Sequence, residues 1–387
     1  MPRHTPRMKS LVWTALAGAG MLILPGIVAS HAVAAHASSN PDPDNEGMDV
    51  PGRRQIDAER VSKRHDKPVD PPVFDSRVDE IIYRLVHANA NRDHVMVVAH
   101  RGSWWKDGKI VLAENSMSAI DRAVDIGAEM VELDVQKTSD GVYVILHDTT
   151  LDRTTTCTGP VADQTLAEVR NCNLVVEGTG EEIAEVVPTL EEAYEAIRGR
   201  ILMNVDIKLG VEELVGVMEI ARDMGVDHQV VIKNRTGTPE QVEAAQATLD
   251  AIDFPVLFMP LIDDRDVTDF GPIKTTYKQF APEAIEVLNR WVPGTRITQD
   301  GGINFSKWAR RLAYRYDTHL WINTLFQGSN ARISGGRGDP IAVPAGLTQE
   351  GWGFWVDVGA TIFQSDEPEA LIEYLESRGA RRPYRAE

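Results

Sequence analysis

Cysteine and positive charge are both scarce in this sequence. The 387 residues include two cysteines, and 40 lysine and arginine residues stand against 58 aspartate and glutamate residues, which gives a formal net charge of −18. So acidic a chain repels nucleic acid and anionic membranes, and neither is expected as a main partner. Any site for a phosphate group must therefore rest on a local positive pocket.

Several catalytic motifs are also absent. The sequence has no Walker loop, no dinucleotide fingerprint, no HExxH zinc motif and no G-x-S-x-G nucleophile elbow. These absences argue against nucleotide-binding, NAD-dependent, zincin and α/β-hydrolase functions. The overall composition, 43% hydrophobic and 25% charged, is that of an ordinary globular protein with one large domain plus additional segments.

The first 37 residues differ from the rest of the chain. Three basic residues precede an apolar run over residues 11–29, and small residues follow with A-x-A spacing. This order predicts a signal peptide over residues 1–37 and an exported protein, periplasmic or secreted. An uncleaved membrane anchor is the alternative, because the apolar run is rather long. Removal of three positive and no negative residues would change the formal charge from −18 to −21.

Residues 38–74 are rich in Pro, Asp, Arg and Ser and contain few large apolar residues, which predicts a flexible N-terminal arm. The folded domain is expected over residues 75–387. Its two cysteines, Cys157 and Cys172, lie fifteen positions apart. In an oxidising compartment such a pair favours a disulfide, which would stabilise the fold by roughly 3 kcal/mol. The alternative is two unpaired buried thiols.

Apolar β-type runs alternate with helical segments throughout this domain. Eight strands are predicted, at residues 95–99, 130–135, 201–208, 229–233, 256–262, 284–288, 320–324 and 361–364. Helices are predicted at residues 75–90, 116–126, 190–197, 211–224, 239–252, 306–316 and 368–377. This alternation favours an α/β fold, a (β/α)8 TIM barrel, over an open doubly wound sheet. The connection before residue 284 is expected to be irregular, and the Gly-rich stretch 326–356 could lie over the barrel mouth.

An antiparallel hairpin arm is predicted after the second strand. Only residues 136–141 separate that strand from the apolar run 142–146, and six residues are too few for a parallel crossover. A turn centred between Ser139 and Asp140 makes the numbers of opposed residues sum to roughly 279. The two runs are therefore expected to fold back on each other.

That register has a chemical consequence. It places Asp134 opposite Ile145 and Glu132 opposite His147, and His100 ends the preceding strand. Two imidazoles would then meet two carboxylates and the arginine that follows His100. Such a site suits acid–base chemistry on an anion with a bound cation.

Four short blocks carry a resemblance to a known family. In chain order they are His100-Arg101-Gly102, Glu114-Asn115-Ser116, Glu132-Leu133-Asp134, and His147-Asp148 followed by Leu151-Asp152-Arg153-Thr154-Thr155. Their order and spacing resemble the glycerophosphodiester phosphodiesterases, which have a phospholipase C-like phosphodiesterase barrel. No block is specific alone, but four in the right order are. The resemblance implies hydrolysis of a small glycerophosphodiester to sn-glycerol 3-phosphate and an alcohol.

The resemblance also implies a metal site. Glu132, Asp134 and Asp206 are expected at the C-terminal ends of strands, where three carboxylates would repel one another without a cation. Hard divalent ions such as Ca²⁺ or Mg²⁺ prefer these oxygen ligands. Asp206 stands where family members usually have Glu, and this difference bears on which ion binds.

The remaining site residues follow from the same resemblance. His100 and His147 are expected as the acid–base pair, since an ordinary imidazole pKa of about 6.5 suits proton transfer at neutral pH. Arg101 and Lys208 are expected to hold phosphoryl oxygens. Two further substrate-site predictions are that Glu114 orients Arg101 or joins the metal shell, and that Trp321 walls the glycerol pocket. For Glu114 the alternative is a favourable charge at a helix N-terminus.

Two other functions are left open by the sequence. One is a phospholipase D-like enzyme of the same barrel lineage that acts on lysophospholipid or sphingomyelin. The other is an exported binding module without turnover. No stable membrane partner is expected unless the N-terminal segment is retained.

Overall fold

The computed structural model describes residues 73–326 and 333–385. The predicted signal peptide and all but the last two residues of the predicted arm lie outside this part of the chain. Within it, no helix has both the length and the apolar character of a membrane span.

Eight parallel strands close into a barrel, which confirms the predicted fold class. Each strand is hydrogen-bonded to the next, and the last returns to the first. The barrel strands are β1 (Met96–His100), β2 (Met130–Lys137), β3 (Leu202–Ile207), β4 (Val230–Arg235), β5 (Leu257–Asp263), β6 (Ala284–Leu288), β7 (His319–Asn323) and β8 (Ile362–Ser365). Because both faces of these strands are covered, they read in the sequence as nearly continuous apolar runs.

The chain also forms helices before, between and after the strands. They are α1 (Arg77–Val86), α2 (Met117–Asp125), α3 (Leu166–Val169), α4 (Leu190–Ile197), α5 (Leu214–Asp223), α6 (Pro239–Ala251), α7 (Phe270–Phe280), α8 (Lys307–Arg315), α9 (Asp339–Ala342), α10 (Phe354–Asp357) and α11 (Pro368–Ser377). The bounds of β6, α4 and α11 agree with the predicted bounds residue for residue.

The expectation of an irregular connection before Ala284 was wrong, because α7 occupies it. The side chain of Asp269 caps this helix by accepting a hydrogen bond from the backbone N–H of Gly271 at 2.7 Å. Gly271 and Pro272 in the first turn hide the helical pattern. Proline is tolerated there since the first N–H groups of a helix have no intrahelical partner.

The predicted hairpin arm is present, but its register was wrong by one residue. A short strand, Tyr143–Ile145, pairs antiparallel with the end of β2, with Val135 opposite Ile145. Opposed numbers therefore sum to 280, the total of 135 and 145. The cause is a three-residue loop of Ser139, Asp140 and Gly141, which the backbone N–H of residue 138 closes by donating to the carbonyl of residue 142. His147 consequently does not face Glu132 across the strand pair.

The loop region after the hairpin has its own small core. It contains the antiparallel strands Asn173–Val176 and Glu181–Val186 and the bonded pair Cys157–Cys172, whose Cα atoms lie 5.5 Å apart. Buried apolar side chains hold this region against the hairpin. They include Ala113, Val144, Leu146, Leu151, Val169, Leu174 and Val187. The loop that bears His147 is thus anchored on both sides.

Helix α1 closes the N-terminal end of the barrel. Its buried residues Val78, Ile81 and Leu85 belong to one apolar cluster with side chains from the barrel strands. The strand members are Met96, Val98, Met130, Leu202, Val231, Met259, Ala284, Trp321 and Ile362. This end of the interior is therefore filled with hydrocarbon.

Candidate active site

A cavity of about 380 Å³ lies at the C-terminal ends of the barrel strands. Six of the residues predicted for the site line it: His100, Arg101, Glu132, His147, Asp206 and Lys208. The cavity also receives side chains from strands that the sequence had not connected with the site.

The His-Arg-Gly block turns the chain sharply at the end of β1. Arg101 and Gly102 have φ angles of +53° and +82°, and a Cβ at residue 102 would lie 2.6 Å from the Cβ of Ala119 in α2. Only glycine fits this position, since it tolerates both the left-handed backbone and the close helix. In this turn the backbone N–H of Arg101 donates to Glu132 Oε2 at 3.2 Å.

His100 is buried and held by a carboxylate that sequence reasoning missed. Its Nδ1 lies 2.6 Å from Oδ1 of Asp366, the residue that follows β8, and its Nε2 lies 3.9 Å from Glu132 Oε2. Burial opposes the charged imidazole, but Asp366 and Glu132 outweigh it and raise the pKa of His100. A signal for Asp366 existed, since the residue lies two positions beyond the predicted strand 361–364.

The three predicted metal ligands come together. Oxygen atoms of Glu132, Asp134 and Asp206 lie within 4.8 Å of one another, and Asp134 and Asp206 are paired in the register of β2 and β3. Asn115 fixes Asp134 by donating from Nδ2 to Oδ2 at 2.8 Å and accepting from the backbone N–H at 3.2 Å. Burial and the nearby Asp134 raise the pKa of Glu132 to about 7. Close acidic groups of this kind suit a divalent cation.

Two lysines approach the same carboxylates. Lys208 Nζ lies 2.9 Å from Asp134 Oδ1 and 2.7 Å from Asp206 Oδ2. Lys233, at the end of the predicted fourth strand, was not predicted as a site residue. Its side chain is largely buried, and its Nζ lies 3.6 Å from Asp206 Oδ1 and 3.4 Å from Glu286 Oε2 but makes no hydrogen bond with any described residue.

The residues present fit a divalent cation. Within the described residues, Glu286 Oε2 is a buried oxygen without a hydrogen bond, as is the amide oxygen of Gln364, and both residues line the cavity. Buried polar atoms are rarely left this way unless a ligand, ion or water completes them. Together with the three clustered acids, they mark a polar space that the protein's own groups do not fill.

Arg101 and Glu114 belong to a buried ion-pair network. Arg101 lies 3.0 Å from Glu114 through Nη1 and 3.2 Å from Asp134 through Nε. Glu114 also binds Arg153, at 2.6 and 3.0 Å, and Arg153 binds Asp148 at 2.7 Å. Glu114 therefore orients two arginines, as one prediction had it, and is not among the three clustered acids.

This network reaches the second histidine. Asp148 Oδ1 lies 2.7 Å from His147 Nδ1, so the chain from Arg101 through Glu114 and Arg153 links both histidine loops. Burial lowers the pKa of His147, against the attraction of Asp134. The two histidines thus have pKa values displaced in opposite directions.

The prediction that Trp321 walls the substrate pocket is contradicted. Its side chain has no exposed surface, belongs to the apolar cluster that α1 closes, and does not line the cavity. Its Nε1 donates to Asn323 Oδ1 at 2.8 Å. Both side chains point inward because they are two residues apart on β7, but Trp321 lies one layer deeper. Asn323 is the residue of this strand that reaches the cavity.

Comparison with known proteins agrees with this geometry. The model of the glycerophosphoryl diester phosphodiesterase family matches residues 100–253. This part of the chain is similar to that family. A second model, for a domain of unknown function, matches residues 258–375. The first match contains both histidines and the three clustered acids, whereas β5 to β8 fall in the second.

Relatives of the family-matched part include a glycerophosphodiester phosphodiesterase of Caldanaerobacter subterraneus, 43% identical over 126 residues, which are 32% of this chain and 49% of that protein. Mouse glycerophosphodiester phosphodiesterase 1 is 41% identical over 120 residues, 30% of this chain and 35% of that protein. The chain thus spans about half or less of the length of these relatives.

A solved structure extends the comparison to the whole barrel. The glycerophosphoryl diester phosphodiesterase of Parabacteroides distasonis superposes with a TM-score of 0.56 at 21% identity. The match covers 78% of this chain and 92% of that one. At this identity the likeness concerns the fold, which is the closed barrel described above.

Proposed function

We propose that this protein hydrolyses glycerophosphodiesters to sn-glycerol 3-phosphate and a free alcohol. One observation carries the proposal: both histidines of the family blocks lie beside three clustered acids at the C-terminal end of a barrel. The relatives of this part of the chain bear the names of glycerophosphodiester phosphodiesterases.

The clustered acids are proposed to hold one divalent cation, Ca²⁺ or Mg²⁺. When bound to Glu132, Asp134 and Asp206, such an ion supplies Lewis-acid stabilisation of negative charge on the phosphoryl group. Lys208 and Lys233 add positive charge at the same place. Arg101 lines the same cavity and is proposed to contact a phosphoryl oxygen, while Glu114 and Asp134 hold its guanidinium in place.

The histidines are proposed to move the protons. Each has a carboxylate at Nδ1, Asp366 for His100 and Asp148 for His147. A carboxylate at Nδ1 favours the tautomer with its proton on that nitrogen and leaves Nε2 to exchange protons with the substrate. One histidine then removes a proton from the attacking hydroxyl group, and the other protonates the leaving alcohol. Attack by a substrate hydroxyl through a cyclic phosphate follows the family resemblance.

A coupled assay for glycerol 3-phosphate tests the proposal. Glycerophosphocholine and glycerophosphoethanolamine are supplied with Ca²⁺ or Mg²⁺, and His100→Ala and His147→Ala are compared with the unmodified chain. Each variant should lose on the order of 10²- to 10⁴-fold in kcat. His228→Ala, at an exposed position outside the cavity, is the matched control and should keep full turnover. Wild-type turnover by both active-site variants would refute the assignment.

Product analysis with the same proteins, with lysophospholipid and sphingomyelin added to the substrates, separates the alternatives. A phospholipase D-like enzyme would release the head-group alcohol from lysophospholipid or sphingomyelin and leave the phosphate on the lipid. A binding module would release no glycerol 3-phosphate from any of these substrates with either ion.

Export is part of the proposal. It is supported by the signal-like order of residues 1–37 and by the bonded pair Cys157–Cys172, because disulfides persist in oxidising compartments. N-terminal sequencing of protein from the extracytoplasmic fraction should show a mature chain that begins near residue 38. A full-length chain confined to the cytosol would contradict export.

A further inference from the structure

The half of the cavity formed by β5 to β7 has a composition unlike the catalytic half. Four apolar side chains, Leu261, Leu288, Leu325 and Ile333, line it and pack together as one cluster. The charged residues nearest its rim are basic, Arg235 at the end of β4 and Arg290 just after β6. Neither arginine has a role in the hydrolysis described above.

A fully buried carboxylate holds these two guanidinium groups in place. Asp263, the last residue of β5, accepts from Arg290 Nε at 3.0 Å and Nη2 at 2.5 Å, and its Oδ2 lies 3.5 Å from Arg235 Nη1. Asp266 takes a second contact from the same Nη1 at 3.2 Å. These contacts use one edge of the Arg290 guanidinium and a single nitrogen, Nη1, of Arg235.

Among the described residues, nothing accepts a hydrogen bond from the remaining donors. Nη1 of Arg290, and Nε and Nη2 of Arg235, make no hydrogen bond with any described residue. The side chains are 24% and 42% exposed, whereas Asp263 itself has no exposed surface and does not line the cavity. Guanidinium N–H donors therefore face the cavity, and the buried carboxylate of Asp263 fixes their orientation. Such donors are suited to bind the oxygens of a carboxylate or a phosphate group.

We propose that this half of the cavity is a subsite for the alcohol part of the substrate, and that it selects alcohols bearing an acidic group, a carboxylate or a second phosphate. The inference rests on the proposed hydrolysis, because the reacting phosphate then lies at the clustered acids of β2 and β3 and at the two histidines. The carbon skeleton of the alcohol packs against the leucines, and its acidic group meets Arg235 and Arg290.

The same geometry disfavours choline. Sites for quaternary ammonium groups are built from aromatic rings, and apart from the two histidines no aromatic side chain of the described residues lines the cavity. Two arginines at the rim would also repel a trimethylammonium group. Glycerophosphocholine should accordingly be a poor substrate.

Matched substrate pairs test the subsite. Glycerophosphoserine differs from glycerophosphoethanolamine by one carboxylate, and glycerophosphoinositol 4-phosphate differs from glycerophosphoinositol by one phosphate. The acidic member of at least one pair should have a kcat/KM about tenfold higher, a modest preference because the arginines are partly solvated. Arg290→Gln should reduce this preference to about twofold or less.

Arg265→Gln is the matched control. Arg265 binds the same carboxylate of Asp263, at 2.7 Å, but its side chain is 62% exposed and does not line the cavity. Its replacement should preserve the preference. If both Arg290→Gln and Arg265→Gln lost the preference for acidic diesters, the effect would come from the ion pairs around Asp263. That result would overturn the subsite.

Binding measurements keep the two proposals distinguishable. Calorimetric titration of the same four diesters into the unmodified protein and into Arg290→Gln requires no turnover. Tighter binding of an acidic diester that Arg290→Gln abolishes supports the subsite, even where no substrate is hydrolysed and the proposed hydrolysis fails. Equal binding within both pairs, or a preference unchanged in Arg290→Gln, overturns it.

Discussion

The two ends of this barrel are built from the same strands but treat buried charge differently. At the N-terminal end, each buried ionic group meets a complementary partner: Glu129 binds Arg381 at 2.7 Å, and Glu80 binds Arg84 at 2.6 Å. At the C-terminal end opposite charges also lie close together, but their hydrogen bonding is incomplete. Lys233 and Glu286 Oε2 are buried there without a hydrogen bond to the described residues. Incomplete hydrogen bonding is costly, so it points to a place where a ligand supplies the missing contacts.

Histidines at the two ends show the same contrast. His319 begins β7, is fully buried and has both ring nitrogens engaged by neutral groups, the hydroxyl of Thr361 at 2.9 Å and the carbonyl of Arg84 at 3.0 Å. Burial lowers its pKa to about 3, so it stays neutral at all ordinary pH values. His100 ends β1 and meets two carboxylates instead. Position along the strand, rather than residue type, separates a structural from a functional histidine.

The largest expected effect comes from the C-terminal end. His100→Asn should lower kcat by on the order of 10²- to 10⁴-fold, because it removes a group that transfers protons. The melting temperature should change little, because the asparagine amide can still donate a hydrogen bond to the buried Asp366 and no apolar core contact is removed. Steady-state kinetics and differential scanning calorimetry measure the two quantities. A variant with a much lower melting temperature but wild-type specific activity would contradict this contrast between the two ends.

The next effect concerns stability at the N-terminal end. Glu129→Gln should lower the free energy of unfolding by about 3 kcal/mol at pH 7, because it leaves the buried Arg381 without its charge partner. Glu129 also accepts from the Tyr384 hydroxyl at 2.7 Å and from the backbone N–H of Val97 at 2.7 Å. Urea denaturation measures the change, and kcat of the folded variant should stay near the wild-type value.

The pH dependence of that effect has a definite sign. Burial opposes ionisation of Glu129, but Arg381 and His94 hold its pKa well below the ordinary value. The unfolded carboxyl group, with a pKa of about 4.3, therefore binds a proton at a pH where the folded one does not. The stabilisation is fully present above about pH 4.3 and is lost as the pH falls toward the folded pKa. A wild-type-minus-variant difference that grows on acidification would contradict this.

An intermediate effect is expected at Asp366. Asp366→Asn keeps the size of the side chain but removes the charge beside His100 Nδ1, and should lower kcat about 10- to 100-fold by loosening the ring and its tautomer. Since Asp366 helps raise the pKa of His100, the limb of the pH–rate profile that reports His100 should move to lower pH. A lower kcat with an unshifted profile would indicate a purely structural role.

The local parts of this site could be predicted from sequence, and the parts that depend on barrel closure could not. Glu132 and Asp134 share a face because strand side chains alternate. The buried strands are recognisable in the sequence as apolar runs. Asp366 lies 266 positions from His100, so no local pattern joins them. The register slip at the hairpin came from a loop one residue longer than the assumed turn. Trp321 was misplaced since alternation gives the face of a strand but not the depth in the barrel.

The smallest effect is expected for His319, the structural histidine at the N-terminal end. His319→Gln should lower the free energy of unfolding by about 1–2 kcal/mol. The rigid imidazole ring contacts the Thr361 hydroxyl and the Arg84 carbonyl at once, and the flexible glutamine side chain cannot keep both contacts. It should leave kcat/KM and its pH profile unchanged, since a histidine that is neutral at every working pH contributes no titration. Chemical denaturation and pH-dependent kinetics on the same preparation measure both. A shifted pH profile would mean that charge at the closed end of the barrel reaches the chemistry at the open one, and that the two ends are coupled rather than independent.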